Sequence, residues 1–74
     1  MRVETVNGRN LMCGYIYPLG ELAVGQKWAP ADGTDRVVVI REIEGQTIRF
    51  GEHANDTTFE DDNFKFQTRY CRVV

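Results

Sequence analysis

The chain has 74 residues, with nine Lys or Arg, eleven Asp or Glu and a formal net charge of −2. That length holds one small domain, which buries about 60% of its unfolded surface and is stable by on the order of 5 kcal/mol. The charge balance excludes a strongly basic, phosphate-seeking composition, and an apolar fraction of 42% excludes a disordered chain.

The first expected strand covers residues 2–6, which alternate before Asn7-Gly8, a pair that accepts the positive φ of a tight type I′ turn. A return strand is expected over Asn10–Tyr17, where Leu11, Met12, Tyr15, Ile16 and Tyr17 supply apolar surface. No single register aligns the two strands cleanly. Pro18-Leu19-Gly20 ends this hairpin.

From Leu22 to Trp28 an apolar pair precedes a Gly turn, and a large aromatic opens the next strand. Trp28, the only Trp, is expected as a core anchor or a groove wall. Ala29–Asp35 reads as a polar loop.

Arg36–Phe50 carries the strongest pattern, two β-branched strands around a tight turn. A two-residue loop at Glu44-Gly45 would make each apolar side chain share a face with a charge. A three-residue loop, Ile43-Glu44-Gly45, with Gly45 left-handed in a bulge, pairs Ile40 with Ile48 and Val38 with Phe50. Arg41 then faces Thr47, and Val39 faces Arg49, on the other side.

Gly51–Thr57 is polar, and Thr58-Phe59-Glu60 reads as a short strand. Asp61-Asp62-Asn63 suits the start of a helical turn, because short polar side chains accept from free backbone N–H groups. Phe64–Tyr70 fits both a strand and a helix period; a helical turn over 61–66 and a closing strand over 68–73 is the expected compromise. The whole predicts an all-β fold, a small SH3-like antiparallel barrel of about five strands with one short helical turn near the carboxyl end. Closing the sheet would remove its edges.

From Leu22 onward the chain resembles small phage- and prophage-encoded β-barrel domains of unknown function. The resemblance rests on Gly25-Gln26-Lys27-Trp28, Val37-Val38-Val39-Ile40, Ile43-Glu44-Gly45 with Ile48 and Phe50, and the ending Phe66 to Val73. It leaves out Met1–Glu21. It implies a small cytosolic accessory protein of a bacterium that carries a prophage, and it transfers no catalytic residue.

Catalytic chemistry finds little support. Ser is absent, neither Cys lies in a CxxC motif, and the glycines suit turns rather than a phosphate loop. No catalytic residue, cofactor or metal is therefore expected. His53, the only His, lies among carboxylates, but their order does not follow the calcium-loop pattern. Two cysteines without a secretory signal read as cytoplasmic thiols, with a Cys13–Cys71 disulfide as the alternative. The longest aliphatic run, Val37–Ile40, is far too short to cross a bilayer.

Two surfaces remain. Glu52, Asp56 and Glu60 belong to an acidic window, Gly51–Asp62, that contains no Lys or Arg and would meet a basic protein partner. The partner is expected to be a host or phage protein, with a second copy of this chain as another option. The alternative is nucleic-acid binding through Arg41, Arg49, Lys65 and Arg69, which accompany Phe64, Phe66 and Tyr70 in a basic and aromatic composition.

Overall fold

The computed structural model describes residues 2–30, 32 and 34–74. Strand β1 (Arg2–Val6) turns through Asn7 and Gly8, at φ of 50° and 77°, into β2 (Arg9–Cys13). This is the expected hairpin, and its strands pair without irregularity, Val6 opposite Arg9 and Glu4 opposite Leu11. The return strand is shorter than its apolar content suggests. Gly14, at φ of 73°, takes the chain off the ladder, so Tyr15–Tyr17 lie outside any strand.

A 3-10 turn at Leu19–Glu21 leads to β3 (Lys27–Pro30). Ala29 and Pro30 thus belong to a strand rather than to the expected loop. Ala29 is buried, and Pro30 stands at the strand's end, where a missing N–H is tolerated.

The central hairpin is β4 (Val38–Glu44) with β5 (Thr47–Glu52). Its register corrects the one read from the sequence. The turn is the two residues Gly45-Gln46, closed by Glu44 opposite Thr47, and Gly45 takes φ of 58° as the Gly-first residue of a II′-type turn does. The bulge lies instead at Arg41: Ile43 pairs with Ile48, Glu42 with Arg49, and Ile40 already with Phe50. The cause is the apolar spacing. Ile43 stands three residues after Ile40, an odd step that alternation would send to the wet face. One extra residue at position 41 returns it to the face of Val38 and Ile40.

Then come β6 (Phe59–Asp62), helix α1 (Asn63–Arg69) and β7 (Tyr70–Val73). Asp62 caps the helix, its Oδ2 accepting from the Phe64 N–H at 3.0 Å. The helix buries Phe66 and leaves Phe64 outside, because residues two apart on a helix face different ways.

Among the described residues seven strands make one antiparallel sheet in the order β1-β2-β7-β3-β4-β5-β6. It curls into a half barrel. The main core, Leu22, Trp28, Val38, Ile40, Ile48, Phe50 and Phe66, lies within the five strands from β7 to β6 and under α1. That body is compatible with a small SH3-like barrel. The β1–β2 hairpin extends it along β7, and no ladder among the described residues joins β1 to β6, so two edges stay open instead of closing.

A second, smaller core holds Leu11, Cys13, Ala29 and Cys71. Here the free-thiol reading is corrected: Cys13 and Cys71 form a disulfide, with Cα atoms 5.0 Å apart. The register explains it. Leu11 pairs with Val73 and Met12 with Arg72, so the next step of the same ladder sets Cys13 against Cys71.

Candidate functional site

The acidic window does not form one patch. Glu52 ends β5 and binds Arg36 at 2.8 Å, which raises the Arg36 pKa through a hydrogen bond and charge. Asp56 is exposed in the loop between β5 and β6. Along β6 the side chains alternate between faces: Glu60 and Asp62 stand opposite Arg49 and Thr47, while Phe59 and Asp61 stand opposite Phe50 and Ile48. Asp61 meets Arg69 of α1 at 3.0 Å, and Asp62 is the helix cap.

What the sheet assembles is a different group. Arg49 Nε donates to Glu60 Oε2 at 3.1 Å, its Nη1 donates to Glu42, and its Nη2 lies 3.7 Å from Glu44. Three carboxylates, two from β4 and one from β6, therefore converge on one guanidinium of β5, and the cluster carries a net −2. Hydrogen bonds to Glu42 and then Glu60 hold the Arg49 pKa above its ordinary value. Glu42 and Glu44 escape a linear reading because they lie sixteen or more residues before Glu60. The signal that would find them is register, since cross-strand neighbours share a face.

Arg41, the bulged residue, is spent on the chain itself. Its Nη1 donates to the Thr57 carbonyl at 3.2 Å and to Thr58 Oγ1 at 2.9 Å. Its Nη2 donates to the Glu52 carbonyl at 2.7 Å and to the Asn55 carbonyl. A planar fork with several donors is what lets one side chain hold a loop at four points. Of the four basic residues considered for nucleic acid, Arg41, Arg49 and Arg69 thus point donors at their own chain, and the fourth, Lys65, is exposed on α1.

A second feature lies on the other side. Gln67, buried on α1, accepts from the Tyr17 N–H at 2.7 Å and donates to the Tyr17 carbonyl at 3.0 Å, while its amide also donates to Asn63 Oδ1. This carboxamide pairs with the backbone as a neighbouring strand would. It fixes the segment after β2 against the helix and leaves between them an open groove of about 410 Å³. Exposed Tyr15, Ile16 and Phe64 border it, and Cys13 and Cys71 line it. That volume is in the range of small-ligand clefts.

No protein family, curated protein or solved structure matches this chain. Its function is therefore read from its own chemistry. His53 is exposed, and among the described residues no three His, Cys, Asp or Glu side chains converge as metal ligands do. Trp28 takes the core-anchor role of its two options, 1% exposed against Tyr17 and Phe66. Among the described residues no helix is long and apolar enough to cross a membrane.

Proposed function

We propose that the chain is a small non-enzymatic interaction module, an accessory protein of phage or prophage origin, that docks a basic host or phage protein on its acidic sheet face. The convergence of Glu42, Glu44 and Glu60 on Arg49 carries this reading. One guanidinium cannot neutralise three carboxylates, so the face keeps a net negative field, and exposed Asp56 lies in the loop that leads into the strand of Glu60. Such a field steers a basic surface toward the site and fixes its orientation. Glu52, bound to Arg36, adds less to that field than the sequence alone suggests.

The nucleic-acid alternative draws less support, because a phosphate would have to displace carbonyls from Arg41 and carboxylates from Arg49 and Arg69. The disulfide speaks for an oxidising compartment over the cytoplasm that free thiols implied.

The test uses the variant with Glu42, Glu44 and Glu60 all changed to Gln, which turns the cluster from −2 to +1. A partner captured by the wild-type chain is expected to associate about tenfold more slowly with the variant at low salt. The difference should vanish as salt rises, since screening acts within about 10 Å at 0.1 M. Equal rates and equal salt dependence would remove the acidic face from the account. A salt-sensitive shift of labelled oligonucleotide would move the choice to the alternative.

A further inference from the structure

The β1–β2 hairpin joins the rest of the sheet along one strand, β7. Among the described residues β1 pairs in the sheet with β2 alone, and β2 meets β7 through two ladder pairs, Leu11 with Val73 and Met12 with Arg72. Outside that ladder, Val74 N–H donates to the Asn10 carbonyl at 2.9 Å, and Arg9 pairs with Asp35 at 2.6 Å on the surface. The main core contains no residue of either strand. In the second core, two of the four buried residues are the cysteines themselves. A lone two-stranded hairpin is marginal in water, so its docking leans on the covalent bond. That bond is buried, with Cys13 3% and Cys71 8% exposed, but both cysteines line the groove between Tyr15-Ile16 and α1, which gives a reductant its approach. Thiol–disulfide exchange depends on such access.

We propose that Cys13–Cys71 is a thiol-exchange site, served through this groove by a dithiol reductant, whose opening releases the β1–β2 hairpin from β7. One thiolate of the dithiol attacks a cysteine sulfur and forms a mixed disulfide. The other cysteine leaves as a thiolate and takes a proton from water. The second sulfur of the dithiol, as thiolate, attacks the mixed disulfide and expels the remaining cysteine, which is protonated in turn. Two electrons pass to the protein, and the dithiol ends as its own disulfide. The five-stranded body keeps its own core. Its β7 edge, until then covered by β2, becomes a row of backbone donors and acceptors open to another strand.

Hydrogen exchange of the full chain, before and after dithiothreitol, tests this. On reduction the amides of β1 and β2 should exchange at least about 100-fold faster, while those of β4 and β5 stay at least about tenfold more protected than the hairpin. Reoxidation should restore both. The Cys13→Ser, Cys71→Ser double variant should show the same pattern without reductant. Thr68→Trp, which fills the groove, should slow reduction about tenfold at unchanged protection of β4 and β5. The proposal is overturned if the hairpin stays protected with both thiols alkylated. It is overturned likewise if the whole sheet loses protection together, if the double variant does not fold, or if Thr68→Trp is reduced at the wild-type rate.

Discussion

Gly51 has no side chain because the Arg41 guanidinium lies where one would go. A Cβ at position 51 would stand 2.8 Å from Arg41 Cζ and would also collide with the Thr57 carbonyl oxygen. The side chain could shift, but the carbonyl belongs to the loop that Arg41 itself holds. Gly51→Ala is therefore expected to cost about 1–3 kcal/mol, as overpacking does, read as a lower urea midpoint at unchanged slope. A wild-type midpoint would mean that the loop yields freely and that Arg41 does not hold it. None of this was legible at the level of single residues. Arg41 reads as a charge on an open face, because the carbonyls it meets come from residues 52–57, brought to it only by the hairpin and its bulge.

Among the elements, those written in local chemistry were readable. Asn7-Gly8 marks its turn, and Asp62 starts a helix, since each acts on neighbours a few residues away. The Phe64–Tyr70 ambiguity resolves as a helix through Arg69 and a strand from Tyr70, close to the expected order of elements. The register of β4 and β5 was misread, although its signal is present. Val38, Ile40 and Ile43 are spaced two then three, against an even step between Ile48 and Phe50, and only a bulge in β4 reconciles them. The observed register makes Ile43 a half-buried core contact rather than a loop residue. Ile43→Ala is then expected to cost about 1–2 kcal/mol, below the roughly 2–5 kcal/mol of Ile40→Ala. Chemical unfolding of the two variants checks this, and an unchanged midpoint for Ile43→Ala would return that residue to the turn.

For the molecule as a whole, the core is organised on aromatic contacts that no single strand owns. Phe66 from the helix reaches Trp28 of β3 at 5.1 Å, Phe50 of β5 at 4.8 Å and Tyr70 of β7 at 5.2 Å between ring centroids. Truncating such a ring costs about 3–5 kcal/mol, comparable with the whole stability of a domain this small. Phe66→Ala should therefore be largely unfolded at 25 °C, with Trp28 fluorescence shifted to the red; a native emission spectrum would refute the central place given to this ring. The all-β class was visible in composition. The open edges and the disulfide were not, since both depend on which distant strands become neighbours. One such neighbour relation sets a timetable for synthesis. β7 pairs with β2 on one side and β3 on the other, so the two parts of the sheet cannot join until it has been made. Cys13 and Cys71 are 58 residues apart, and a ribosome adding about 5–20 residues per second covers that in about 3–12 s. For that interval every nascent copy carries Cys13 without its partner thiol and β2 without the strand it pairs with, so the covalent closure of the sheet is among the last events of its making.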